Sequence, residues 1–319
     1  MTISTGGLVF ELSAGDNVAA VVRGNYSGKI SIPDSIEYKG TQYLVTAIGA
    51  NAFEGCKEIM EVSIGNEVRA IGANAFRGCE TLENICFGQK VLLVGNALFS
   101  GCVKLKSVEL PNNLLSLSES MFEGCIALEK VSLGDSVDSI GEYAFCGCTS
   151  LRKIAIPQGA KCIERWAFRG CTALGEVLLP DTITDIKSGA FWECSSLVSI
   201  TLPSTLNMLP QGLFAKCSSL KEMTIPQGVN TVGYGLFYDC TSLEKVSFPA
   251  SVVGLENEIF RNCTALKNIY MYGEVPPTCM ADVTSPDIYS QITLHVPDGS
   301  VGNYGFARIW EKFANVEEM

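Results

Sequence analysis

The sequence predicts a mainly β repeat solenoid of about ten coils of 23 residues. A β cap closes its N-terminal end and a strand–helix cap its C-terminal end. Three observations predict it. Phenylalanine recurs every 23 residues, at Phe53, Phe76, Phe99, Phe122, Phe145, Phe168, Phe191, Phe214, Phe237 and Phe260. A cysteine follows each phenylalanine by three residues, from Cys56 to Cys263. Three residues further on stands Ile59 and then, in every later unit, a leucine, from Leu82 to Leu266. A fixed period over this length is the signature of a repeat architecture.

The elements of one unit follow from its apolar spacing. Six and eight residues past the cysteine stand apolar residues such as Val131 and Leu133, or Ile154 and Ile156. That period of two predicts a short strand with these side chains turned inward. Proline or glycine comes next (Gly65, Gly88, Pro111, Pro157, Pro180) and ends the strand. Twelve and fifteen residues past the cysteine the chain is aliphatic again, as at Val137 and Ile140 or Ile183 and Ile186, and returns along the opposite side. The A-F-x-x-C segment then closes the coil with phenylalanine inside. One coil cannot bury its own apolar edges, so coils stack, with strands about 4.8 Å apart.

The ends depart from the repeat. Leu8–Leu12, Val18–Val22 and Lys29–Ile32 read as strands separated by turn residues, and a β-hairpin there covers the open first edge. Ile292–Val296 reads as a strand, Pro297-Asp298-Gly299 turns it, and a short helix over residues 300–313 brings Tyr304, Trp310 and Phe313 to the last coil. The expected organisation is therefore a hairpin cap and partial coil over 1–44, a solenoid over 45–272 and a closing cap over 273–319, all one continuous structural domain.

Charge narrows the partners. The chain has 319 residues, 34 acidic and 23 basic, for a net charge of −11. Nucleic acid needs a basic stripe, so it is not an expected partner. No stretch reaches the roughly 18 apolar residues of a membrane span. The start MTISTGGLVFELSAG shows no basic segment followed by a long apolar run, so no signal peptide is visible in the chain.

The ten in-phase cysteines form a column. A metal chain, a redox relay and a disulfide stack all fit poorly. Metal sites take paired ligands at short spacing, and disulfides need converging Cβ atoms. The expectation is a small buried residue whose thiol donates weakly to turn backbone. Cys86, Cys146, Cys162 and Cys279 fall outside the column.

Segments such as IGANAFRGC (71–79), IGEYAFCGC (140–148) and CTSLEKVSFP (240–249) resemble the BspA-like leucine-rich repeat family. So do the entry segment 30–49, a partial coil with an insertion between Pro33 and Val45, and the closing segment 292–318, which is similar to those of surface proteins of Bacteroides-type bacteria. The resemblance implies a leucine-rich repeat right-handed coil in a cell-surface or secreted protein. It implies adhesion to host matrix, host cells or other bacteria through a protein ligand, and it supplies no catalytic residues, cofactor or shared binding motif.

The residues themselves also give little to an enzyme. His295 is the one histidine, which leaves no multi-histidine metal site and makes a Ser-His-Asp set hard to build; it reads as a cap side chain. No phosphate loop or nucleophile elbow is present. Asp135, Asp138, Glu142, Asp181 and Asp185 scatter over turns and build no paired carboxylate column of the kind that cleaves polysaccharides.

Two sets of residues that vary between units are candidate binding residues. On the outward strand face, seven basic residues (Lys106, Lys130, Arg152, Lys153, Lys221, Lys245 and Lys267) face seven acidic ones (Glu61, Glu83, Glu109, Glu129, Glu176, Glu222 and Glu244). Cross-strand pairing that only keeps the face soluble is the expected arrangement, and a protein-binding face is the functional one. On the A-F side, Tyr143 and Trp166 share one column, with Trp192, Tyr234 and Tyr238 at nearby positions. Shielding of the core is expected of them; the functional alternative is an aromatic platform for carbohydrate.

Overall fold

A computed structural model describes residues 1–13 and 15–319. The chain falls into two compact units, Met1–Ala160 and Lys161–Met319, and each is a β-solenoid with few helices.

In the first unit, β1 (Thr2–Thr5), β2 (Leu8–Ser13) and β3 (Val18–Val21) form an antiparallel meander. Gly6 and Gly7 turn β1 into β2 with φ of 56° and 79°, the two-residue turn whose twist suits a hairpin. β4 (Ser27–Ile32) is the first rung of the strand face and pairs in parallel with β7 (Glu58–Ile64). The insertion before Val45 is a second hairpin, β5 (Ser35–Tyr38) against β6 (Thr41–Ile48). From β7 onward the 23-residue register holds: Val62 faces Ile85, and Val108 faces Val131.

The second aliphatic pair of each coil also makes a strand of two residues. Ala70–Ile71 pairs with Leu93–Val94, and Met208–Leu209 with Thr231–Val232. The A-F segment is bonded between coils as well: Phe53, Phe76 and Phe99 donate their N–H groups to the carbonyls of Ala75, Leu98 and Met121 at 2.8 to 3.0 Å. Backbone groups on all three sides thus find partners in the neighbouring coil, as burial demands.

The core is a column of fully buried phenylalanines. Ring centroids lie 4.9 to 5.7 Å apart from Phe53 to Phe145 and 5.4 to 6.1 Å apart from Phe168 to Phe260. The rings are nearly parallel at a separation suited to offset stacking. The cysteine column runs beside them as expected of buried thiol donors. Cys102, Cys125 and Cys148 each donate to the carbonyl of the phenylalanine 26 residues earlier at 3.1 Å; Cys194, Cys217 and Cys240 do so at 3.1 to 3.3 Å. All the cysteines are free thiols.

There are slightly more coils than the expected ten: about 13, six rungs in the first unit and seven in the second. The extra ones lack the Phe–Cys signature because they form the ends. Tyr26 stands on Phe53 in place of a phenylalanine, at 4.7 Å, and donates its hydroxyl to the Val22 carbonyl. At the other end Thr284 donates to the Phe260 carbonyl at 3.2 Å, the bond that a cysteine makes within the repeat.

The expected helix over 300–313 is shorter. Val301–Gly305 is helical, Ile309 turns with φ of 78°, and Trp310–Lys312 makes one 3-10 turn. The chain then adds a strand the sequence did not suggest, Asn315–Glu318, paired in parallel with Thr293–Val296. Tyr304, Trp310 and Phe313 are all buried there, with the Trp310 indole N–H donating to the Pro277 carbonyl at 2.8 Å.

Candidate binding surfaces

The strand face is built by alternation. Val108, Val131 and Ile154 turn inward, so residues on either side of them turn outward. In the first unit this exposes Lys130 and Lys153, and Lys106 and Arg152 are exposed just before their strands. Ser107, Ser132 and Ala155 stand beside them, as do the exposed Glu109 and Glu129.

Cross-strand pairing accounts for only part of this face. Lys29 meets Glu61 at 2.8 Å in the first unit, and Lys267 meets Glu244 at 3.8 Å in the second. Among the described residues, Lys106, Lys130, Arg152 and Lys221 form no ion pair, so for them the expected pairing is not found. For Lys130 the reason is geometric: it stands opposite Ser107 across the rung rather than opposite a carboxylate. Lys245, in the second unit, lies over the Tyr270 ring, 4.8 Å from its centroid.

Tyr270 stacks in turn on His295, with centroids 4.3 Å apart and planes 10° from parallel. The His295 Nε2 lies 2.9 Å from the Asn268 side-chain oxygen, and its Nδ1 lies 3.7 Å from Glu317. The histidine therefore holds the last rungs of the strand face together. Near these rungs Ser199–Thr201 forms no regular strand, and a depression of about 460 Å³ opens there between Thr201, Glu222, Thr224 and Lys245.

The A-F side is shaped by left-handed backbone. Each coil carries two such positions. One holds Asn51, Asn74, Ala97, Ser120 and Tyr143 in the first unit, and Trp166, Gly189, Gly212, Gly235 and Glu258 in the second. Tyr143 and Trp166, at φ of 55° and 54°, are thus bulky residues where asparagine or glycine is at ease. Both are half-buried, and they belong to different units.

Within the second unit the indole of Trp166 lies on the backbone of Gly189: a Cβ there would stand 2.4 Å from Trp166 Cδ1. The guanidinium groups of Arg165 and Arg169 lie 5.3 and 5.9 Å from the same indole. Trp192 uses Gly212 in the same way, a Cβ there being 2.8 Å from its Cζ3. The expected shielding role thus describes one face of each indole.

Trp192, Tyr234 and Tyr238 are brought together around one concavity of about 410 Å³. Tyr234 donates its hydroxyl to Glu258 at 2.6 Å, Arg261 pairs with the other oxygen of that carboxylate, and the Arg261 guanidinium lies 5.9 Å from the Tyr238 ring. The Tyr234 hydroxyl, and then Arg261, hold the Glu258 carboxyl below its ordinary range. A glycosidase acid needs the opposite shift. Sequence reasoning named the aromatics but missed Glu258 and Arg261. Their signal was present, since Glu258 is the one carboxylate in the column that holds Tyr143 and Trp166. It also missed the exposed Leu92, Leu93 and Leu115, which sit beside the second strand column of the first unit.

Among the described residues no group of three or more histidine, cysteine or carboxylate side chains is placed to hold a metal ion. No helix among them is long and apolar enough to cross a membrane.

A family model described as the BspA type leucine rich repeat region matches residues 29–152 and 138–267 with six copies. A leucine-rich repeat protein from Bacteroides ovatus is 23% identical, with a TM-score of 0.50 over 99% of this chain and 99% of that one. A leucine rich cell surface protein from Faecalibacterium prausnitzii is 27% identical over 86% of this chain and 95% of that one, with a TM-score of 0.46. The pneumococcal vaccine antigen PcpA is 14% identical over 100% of this chain and 98% of that one, with a TM-score of 0.48. No curated protein sequence matches the chain.

Proposed function

We propose that this chain, which belongs to the BspA-type leucine-rich repeat family, is a cell-surface or secreted binding protein that takes a protein ligand on its strand face. The family is surface-associated, and its repeat fold is generally non-enzymatic. The ligand is a protein with an acidic patch. Lys106, Lys130, Arg152 and Lys153 in the first unit, and Lys221 and Lys245 in the second, are the residues we assign to it.

One observation carries this reading: among the described residues, Lys106, Lys130 and Arg152 are exposed cations without ion pairs on the strand face. A chain of net charge −11 has carboxylates in excess, yet these cations stand without one. Cations placed on or next to strands need little reordering when a carboxylate surface meets them. They also steer an acidic partner onto that face.

Surface plasmon resonance against panels of host matrix proteins and bacterial surface proteins tests it. Saturable binding should weaken at least about tenfold in the double variant Lys130→Glu/Arg152→Glu, and the wild-type affinity should fall with added salt. The same variant should change stability by no more than about 0.5 kcal/mol, as exposed substitutions do. Binding that survives the double charge reversal would refute the assignment of this face, and absence of binding across both panels would refute the protein ligand.

A further inference from the structure

We propose that the concavity on the A-F side of the second unit binds a neutral oligosaccharide, with pyranose faces laid against Trp192 and Tyr238. The site is separate from the strand face and does not depend on the protein-binding reading.

Trp192 and Tyr238 occupy the same position of the repeat two coils apart, with Ala215 between them. At about 4.8 Å per rung they are roughly 10 Å apart along the coil axis, close to the span of two linked pyranose rings. The same position carries Glu54, Arg77, Glu123 and Arg169 in other coils, so an aromatic there is a departure from the repeat. The floor between the rings is low. Ala215 is buried, and Gly212 and Gly235 hold left-handed backbone with φ of 60° and 58° and carry no side chain. Because Gly212 lacks a Cβ, the Trp192 indole can lie against the coil and leave its other face outward.

The rim supplies hydrogen-bonding groups rather than more apolar surface. Lys216, Asp239, Glu258 and Arg261 line it, two cations and two carboxylates. Glu258 is fixed between Tyr234 and Arg261, and Asp239 accepts a hydrogen bond from Asn262 at 2.7 Å. The Glu258 and Asp239 carboxylate oxygens accept from sugar hydroxyls, while Lys216 and Gln211 donate. A uronate, sulfate or phosphate would meet as many carboxylates as cations, which favours an uncharged ligand. A volume of about 410 Å³ lies within the usual range of small-ligand sites. Aromatic rings on a low floor with a polar rim suit a ring that is apolar on its face and polar at its edge.

Calorimetry and tryptophan emission test the proposal on the full chain, with cellopentaose, laminaripentaose, xylopentaose, mannopentaose and chitopentaose as probes and trigalacturonate as the charged comparison. We expect saturable binding of at least one neutral probe with a change in emission. Trp192→Ala and Tyr238→Ala should each weaken it at least about tenfold, and Trp192→Phe should weaken it less than Trp192→Ala. Met208→Ala, at an exposed position in the second strand column of the same unit, should leave affinity unchanged. Far-ultraviolet circular dichroism checks that each variant folds; should Trp192→Ala not, Trp192→Phe and Tyr238→Ala carry the test. Failure of all five neutral probes to bind, tighter binding of trigalacturonate, or affinity unchanged in Tyr238→Ala and Trp192→Phe overturns the proposal.

Discussion

Raising the pH should unfold the second unit through its cysteine column. Burial is the main cause that lifts the Cys217 and Cys263 thiols from 9.0 to about 12, and it holds Cys194 and Cys240 far above their ordinary value as well. In the unfolded chain the same thiols ionise near 9. Their folded pKa is raised, so their contribution is fully present below pH 9 and is lost as pH rises from 9 towards 12. Between those values the unfolded state has released protons that the folded state still holds. The loss is about 0.4 kcal/mol per thiol at pH 9 and about 1.4 kcal/mol at pH 10. Four thiols therefore cost about 5–6 kcal/mol at pH 10, comparable with the whole stability of an ordinary domain.

A serine variant isolates the effect. In Cys217→Ser the hydroxyl can donate to the Phe191 carbonyl, which Cys217 reaches at 3.2 Å, much as Thr284 reaches Phe260. Loss of the buried sulfur should cost about 1 kcal/mol at pH 7. Serine does not titrate, so the deficit relative to the parent should shrink by about 1.4 kcal/mol between pH 8 and pH 10. Urea unfolding followed by circular dichroism at both pH values, with reductant present, measures that difference. A deficit that stays constant between the two values would refute the reasoning. So would thiol ionisation with a midpoint near pH 9 while the fold persists.

Three further outcomes follow from particular contacts. Gly189→Ala forces a side chain onto left-handed backbone, with its Cβ 2.4 Å from Trp166 Cδ1; it should cost about 1–3 kcal/mol in urea unfolding and shift tryptophan emission to the red. Trp310→Ala removes a side chain only 1% exposed and should cost about 3–5 kcal/mol, with hydrogen exchange of Asn315–Glu318 accelerated; protection equal to the parent would show that the indole does not hold the closing strand. Cys86 is exposed on the strand face whereas Cys79 and Cys102 are buried, so a thiol reagent at pH 8 should modify Cys86 first, and Cys86→Ser should abolish that fast phase.

The architecture was legible in the sequence because a 23-residue period leaves little choice. Phe53 through Phe260 must be buried to hold a stack together, and period-two pairs such as Ile154 and Ile156 can only be strands with one face inward. The buried role of the cysteine column followed from the same phase. Spacing says nothing of lateral contacts, so the tertiary structure had to decide which surface charges pair. It set Lys130 opposite Ser107 and left it without a carboxylate, while Lys267 found Glu244. It also decided which aromatics share a concavity. Trp192 and Tyr238 do so with Tyr234 because Gly212 and Gly235 open the backbone between them, and Glu258 joins because its left-handed position turns it towards Tyr234 and Arg261. The closing strand Asn315–Glu318 was invisible for a related reason. A four-residue segment that ends in two glutamates has no period of its own, and it is a strand only because Thr293–Val296 offers it an edge.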